Sequence, residues 1–317
     1  MGAIKSKFLK SPMLEAIIMI AATILSYFGI GVLALVPEDV LTGHMTTASI
    51  FLILLAFFLL SVAIAMIAVV AGIGGGVIFT PIMLAFTNVD SVIIRGTGLI
   101  VAMFSGLIST GIFIKKGIGN YKLCLVLTIS QAAGALAGAI LAIGAAQSFG
   151  VTGEALMRIV LGVLLLGIGI YLFMGGKKLD YPVIKKIGPV TQKFNLGGQY
   201  FEESEGRVRK YEVTRAPLGI ILIFLVGVIG GFFGMGGGWA ITPVLNMGMG
   251  IPLKVAAANS GIILGVGSCV SVWPYIFTGG IIALFVLPWL SGQVVGGFVG
   301  SYILAKAKVS IVRVILI

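Results

Sequence analysis

From Thr47 to Ala71 the chain runs without a single charged side chain, and comparable stretches recur along its length. About 20 apolar residues at 1.5 Å per residue span the roughly 30 Å hydrocarbon core of a bilayer. In such a solvent every backbone N–H and C=O must be satisfied within the protein, which leaves helices and closed barrels as the spanning forms. Runs of this length are helical, so the first expectation is an all-α, polytopic transmembrane bundle. Composition agrees: 59% of the 317 residues are hydrophobic and only 10% charged, where soluble domains carry about 25%.

Apolar runs at Met13–Val36, Thr47–Ala71, Val89–Ile114, Tyr121–Ala145, Glu154–Met174, Pro217–Phe233, Pro252–Phe277 and Ile281–Ala305 read as spans. Two shorter pieces, Val77–Phe86 and Trp239–Met249, each follow a glycine run, and Val309–Ile317 begins one more helix. The basic start with Lys5, Lys7 and Lys10 resembles a signal peptide, but the apolar run behind it is too long for one and is expected to be retained. The domains expected are therefore a first helix with an external loop (1–46), a first repeat (47–174), a polar linker (175–216) and a second repeat (217–317) shortened in its last helix. Within the linker, semi-alternating runs around Glu205-Gly206 predict a hairpin across residues 199–211.

The net charge of +11 follows topology. If the glycine-run pieces cross as short hairpins, all of the 21 Lys and Arg except Arg95 and Arg158 fall on one side. That side is cytoplasmic by the positive-inside rule, which puts the amino terminus in the cytoplasm of a plasma-membrane protein. Nucleic acid is not needed to explain the charge. A lone His44 and two widely separated cysteines, Cys124 and Cys269, form no metal or disulfide framework. No metal, cofactor or catalytic set is expected, and the chain does not read as an enzyme.

The chain repeats itself. A shift of 162 residues lays Gly72-Ile73-Gly74-Gly75-Gly76 on Gly234-Met235-Gly236-Gly237-Gly238 and Thr80-Pro81 on Thr242-Pro243. It carries on to place Ser109 on Ser271, Gln131 on Gln293, Gly134 on Gly296 and Gly138 on Gly300. Each unit is expected to cross five times, so the second copy would run upside down relative to the first. Inverted repeats with broken helices are a transporter architecture, the substrate lying between the halves.

Chemistry is expected at the breaks. A half-helix starting near the midplane directs its N–H groups and positive dipole end into the interior, which suits an anion. Gly74, Gly75, Gly76, Gly236, Gly237 and Gly238 are thus candidate substrate contacts; the other reading is close helix packing through small residues. For Gly134, Gly138, Gly296 and Gly300, close packing is expected. Intramembrane Thr97, Asn259, Ser260, Gln131 and Gln293 either line a cavity or glue helices together. Ser105, Ser109, Ser268 and Ser271 are expected to bond back to their own helix. Arg95 is placed near the outer mouth, where it snorkels or attracts an anion, and Arg158 pairs with Glu154 at i,i+4. Neither glycine run fits a dinucleotide-binding loop.

On these residues the chain resembles the TauE/SafE sulfite exporter family. The matching features are Gly-Ile-Gly-Gly-Gly…Thr-Pro at 72–81, Gly-Met-Gly-Gly-Gly…Thr-Pro-Val-Leu at 234–245 and Ile251-Pro252-Leu253-Lys254-Val255-Ala256-Ala257-Ala258-Asn259-Ser260. Members often carry Thr-Ser where this chain has Asn259-Ser260. The resemblance implies export of small sulfur anions such as sulfite, thiosulfate or organosulfonates across the bilayer. An ion-coupled uptake carrier for another small organic solute is the alternative.

Overall fold

The computed structural model describes residues 47–316 apart from 88, 176–188, 195 and 204. The expected Met13–Val36 helix and His44 lie outside the described residues. Among those described, the chain is helical throughout except for one small hairpin. The helices are α1 (Thr47–Ala71), α2 (Gly75–Phe86), α3 (Ser91–Lys115), α4 (Tyr121–Gly175) and α5 (Pro189–Phe194). After the hairpin β1 (Gly198–Glu202) and β2 (Arg207–Tyr211) come α6 (Ala216–Phe233), α7 (Gly238–Pro243), α8 (Leu253–Ser271), α9 (Trp273–Phe277), α10 (Ala283–Lys306) and α11 (Val309–Leu316).

Five of these segments are long and apolar enough to cross a membrane: Phe51–Ala71, Ser91–Lys115, Tyr121–Ser148, Ala216–Phe233 and Leu253–Phe277. Their outer faces are apolar, with Leu52, Leu59 and Ile67 on α1, Leu125, Ile129 and Ile140 on α4, and Ile221 and Leu225 on α6 all exposed. The surface is therefore made for lipid, and the protein is a multi-pass helical membrane protein.

At the centre α8 is buried along most of its length and lies against α3. Gly106 on α3 and Gly261 and Gly265 on α8 let the two backbones meet: a Cβ added to Gly265 would come within 2.7 Å of the Leu107 nitrogen. Two further helix pairs flank this centre, α4 along α6 and α10 along α1. Both use the same glycine pairs. A Cβ at Gly134 or Gly138 would strike the carbonyls of Phe224 and Val228 on α6, and one at Gly296 or Gly300 those of Val62 and Met66 on α1. The expected close packing at these four positions is present, each helix of one half pressed on a helix of the other.

One expected boundary does not occur. Residues 121–175 form a single 55-residue helix, where two spans separated by a loop at 147–153 were expected. That stretch has no proline, and Gly150 and Gly153 weaken a helix by about 1 kcal/mol each without breaking it. Ser148 also donates to the Gly144 carbonyl (2.8 Å), a bond along the helix itself. Arg158 Nη1 donates to the Leu84 carbonyl at the end of α2 (2.7 Å), and its expected partner, the Glu154 side chain, lies outside the described side chains.

The hairpin forms where the pattern placed it, in the register Tyr200↔Arg209 and Glu202↔Arg207, with Gly206 at φ 65° in the turn. Tyr200, Glu202 and Tyr211 face inward, while Phe201 and Val208 face out.

Candidate functional site

Both glycine runs break their helices in the same way. α1 ends at Gly72 (φ 69°) and α2 starts after Gly74 (φ 77°); α6 ends at Gly234 (φ 69°), followed by Gly236 (φ 72°). Positive φ strains any residue with a Cβ, which is why glycine stands at all four points. The hydrogen bonds correspond too. Ile73 N and Gly74 N both donate to the Ala68 carbonyl, and Met235 N and Gly236 N both donate to Gly230, each pair displaced by the same 162 positions.

The two breaks are locked to each other reciprocally. The Thr80 hydroxyl donates to the Gly234 carbonyl, and the Thr242 hydroxyl to the Gly72 carbonyl, both at 2.9 Å. A Cβ on Gly76 would lie 2.8 Å from the Met235 carbonyl, and one on Gly238 would strike the carbonyl of Ile73. The Gly72 carbonyl takes a second donor from Ser260 (2.6 Å), whose counterpart Gly98 lies against Gly234. Between the breaks sits the Leu264 side chain. Cβ atoms at Gly74 and Gly236 would meet its two methyls, Cδ2 and Cδ1 respectively.

α2 is an ordinary helix of 12 residues. α7 covers Gly238–Pro243 and continues as a π-helical turn, Val244–Gly248, so the expected piece Trp239–Met249 is present with a widened end. Asn246 closes the end by donating from Nδ2 to the Ile251 carbonyl (2.7 Å).

Around this crossing the interior is polar and incompletely satisfied. Gln293, on α10, reaches Gly75 at the start of α2, and Gln131, on α4, reaches Gly237 at the start of α7. Both side chains are buried, and Gln131 Nε2, Gln131 Oε1 and Gln293 Oε1 have no hydrogen-bond partner among the described residues. The hydroxyls of Thr97 and Ser268 are likewise buried without partners. Such atoms are uncommon in a folded interior and mark a place where water, an ion or a ligand completes the set.

Ser105 bonds back to its own helix as expected and has a second role. It donates to Ala102 (2.9 Å) and also accepts the Gly75 N–H (3.1 Å), capping α2. Ser109 and Ser271 bond along their own helices as expected.

Two expected site residues lie elsewhere. Arg95 is not at an open mouth: it is buried at 2% exposure, beside the Tyr275 hydroxyl, with its backbone against Gly234. Tyr275 in turn donates to the Gly231 carbonyl (3.0 Å). Asn259 is fully used by the protein. Its Oδ1 accepts from Asn120 N (2.7 Å) and the Cys124 thiol (3.0 Å), and its Nδ2 donates to Val255 (2.7 Å) and Ile118 (3.5 Å).

That network belongs to a second polar region, which sequence reasoning did not foresee. Asn120 Nδ2 donates to Leu196 (2.9 Å) and to the Tyr211 hydroxyl (3.2 Å). Glu202 of the hairpin binds Lys254 at the start of α8 at 2.6 Å, both ends essentially without solvent exposure. The adjacent Glu203 binds Lys116 at the end of α3 (2.8 Å). In sequence Lys254 stands as one of the cations on the cytoplasmic side and as a member of the 251–260 motif, and no spacing rule links it to a carboxylate 52 positions away.

Comparison with known proteins agrees with this architecture. The profile described as sulfite exporter TauE/SafE matches residues 57–317. The probable membrane transporter protein YunE of Bacillus subtilis (strain 168) is 28% identical over 258 residues, covering 78% of this chain and 88% of YunE. The probable membrane transporter protein MJ0441 of Methanocaldococcus jannaschii is 36% identical over 105 residues, 28% of this chain and 39% of MJ0441. No solved structure matches the chain.

Proposed function

Because the chain belongs to the TauE/SafE sulfite exporter family, and is thus a membrane transporter, we propose that its cargo is a small sulfur oxyanion, sulfite or an organosulfonate. In this reading the anion is bound where the two helix breaks cross and is moved outward across the plasma membrane, the amino terminus lying in the cytoplasm. The halves 47–174 and 217–317 act as inverted repeats about that site, and the linker 175–216 stays cytoplasmic.

The observation that carries the reading is the crossing itself. Two helix starts meet there at Gly74–Gly76 and Gly236–Gly238, and each is touched by a buried glutamine with unsatisfied amide atoms, Gln293 and Gln131. Helix starts present N–H groups and positive dipole ends, and the Gln131 NH2, unlike that of Gln293, which is held by Ser61, adds a neutral donor without a competing charge. Thr97 and Ser268 supply further hydroxyls. A neutral donor set binds an anion and still lets it go, as a carrier must. An inside-negative potential favours outward movement by about 2.3 kcal/mol per charge per 100 mV, or about 4.6 for a dianion.

The test is flux in proteoliposomes, with sulfite and sulfoacetate under an imposed potential, for the wild type and Gly237→Ala. The added methyl would lie 3.3 Å from Gln131 Nε2, 2.9 Å from Ile241 Cδ1 and 3.3 Å from Val226 Cγ1, all side-chain atoms rather than backbone, so the variant is expected to fold. Flux that follows the potential and falls about tenfold or more in the variant supports the site. Uptake of a neutral solute with no flux of any sulfur oxyanion would overturn the anion reading.

A further inference from the structure

The two glutamines at the crossing are held differently. Gln293 Nε2 donates to the Ser61 carbonyl (3.2 Å) and to Ser61 Oγ (2.9 Å), while Ser61 Oγ itself donates to the Trp289 carbonyl (2.5 Å). A carbonyl only accepts, and an Oγ whose proton is already committed also accepts. The group facing Ser61 must therefore be the NH2, and chemistry alone decides which way this amide points. Its Oε1 is turned towards Gly75 at the start of α2, buried and without a donor.

The 162-residue correspondence that pairs Gln131 with Gln293 pairs Ser61 with Ile223, so the hydroxyl that anchors Gln293 has no counterpart beside Gln131. A second exchange accompanies it. Ser105, which caps Gly75, corresponds to Gly267, and a Cβ at Gly267 would overlap Gln131 Oε1. The missing side chain makes the room that the Gln131 amide occupies. Two exchanges thus turn a repeated frame into an unequal pair: a fixed acceptor beside α2 and an unanchored amide beside Gly237.

We propose that the site selects an anion carrying its own hydrogen-bond donor, an O–H beside the negative oxygens, as in hydrogen sulfite or a hydroxyalkanesulfonate. The O–H donates to Gln293 Oε1, while the charged oxygens are met by the Gln131 NH2 and the first turn of α2. An anion without a donor sets its lone pairs against Oε1 and leaves a buried acceptor unpaired. This specificity rests on the transport reading above and adds to it the residue that discriminates.

Calorimetric titration of the purified full chain with hydroxymethanesulfonate and methanesulfonate tests it, since the two carry the same charge and differ by one hydroxyl. Hydroxymethanesulfonate is expected to bind about tenfold more tightly, the worth of one good neutral hydrogen bond. Gln293→Met keeps the length and removes the acceptor, and the ratio of affinities should fall to near one. Ser61→Ala frees the amide to turn its NH2 inward and should narrow the ratio as well. Equal binding of the two anions by the wild type, or an unchanged ratio in both folded variants, overturns the inference and leaves the transport reading standing. Failure of sulfite and of both sulfonates to bind overturns the two together.

Discussion

At the scale of single residues, what decides a glycine here is the atom a Cβ would meet. At Gly138 it would meet the Val228 carbonyl, which belongs to a helix backbone and cannot move aside. At Gly144, one turn and a half further along α4, nothing lies within 4 Å. Gly138→Ala should therefore destabilise the protein by about 1–3 kcal/mol through overpacking, while Gly144→Ala should stabilise it by roughly 0.5–1 kcal/mol through helix propensity. Thermal unfolding in detergent separates them, and shifts of the same sign would contradict the packing described. The sequence pattern found the packing glycines, because a repeated glycine at fixed spacing is visible without coordinates, but nothing in it marks Gly144 as open. It did not find the occupation of Asn259 or the burial of Arg95. Whether a polar side chain faces a ligand or a neighbouring loop depends on what folds over it, and for Asn259 that is the turn at Ile118–Asn120, more than a hundred residues earlier.

At the scale of elements, the hairpin is more than a connector. Through Glu203 it holds Lys116 at the end of α3, and through Glu202 it holds Lys254 at the start of α8. Removing one partner of a buried ion pair strands the other, at a cost of about 3–5 kcal/mol. Lys254→Met alone should show a loss of that size in unfolding experiments, and Glu202→Gln with Lys254→Met together should recover much of it. Simple additivity of the two single losses would argue that the pair does not act as a unit. Burial pushes the Tyr211 hydroxyl above its ordinary value, against the opposing hydrogen bond from Asn120. A raised folded value means that this contribution is complete below the ordinary value of 10.0 and is lost as pH rises beyond it. The hairpin and the two helix breaks were legible in sequence, since turn chemistry and glycine runs act locally. The continuity of α4 through 147–153 was not. Helix ends are set by weak local preferences there, and no proline or strong cap decides the matter.

At the scale of the whole molecule, the contacts come in exchanged pairs: α4 on α6 with α10 on α1, Thr80 on Gly234 with Thr242 on Gly72. The proposed inversion places the hairpin and the α9–α10 turn on opposite sides of the membrane. Cysteines introduced by Val208→Cys and Phe277→Cys, at exposed positions, should react with an impermeant maleimide from opposite faces of sealed vesicles. Labelling of both from the same face would refute the inversion and the charge-based orientation.

The reciprocal threonine bonds carry a consequence for motion. Each break lends its carbonyl to a threonine of the other half. A rearrangement that parts the runs therefore has to give up both bonds, each worth about 1 kcal/mol net. A rearrangement that leaves them joined turns the crossing into a pivot pin, with the flanking helices swinging as levers on either side. In that second arrangement the least mobile point of the molecule is also the proposed resting place of the cargo.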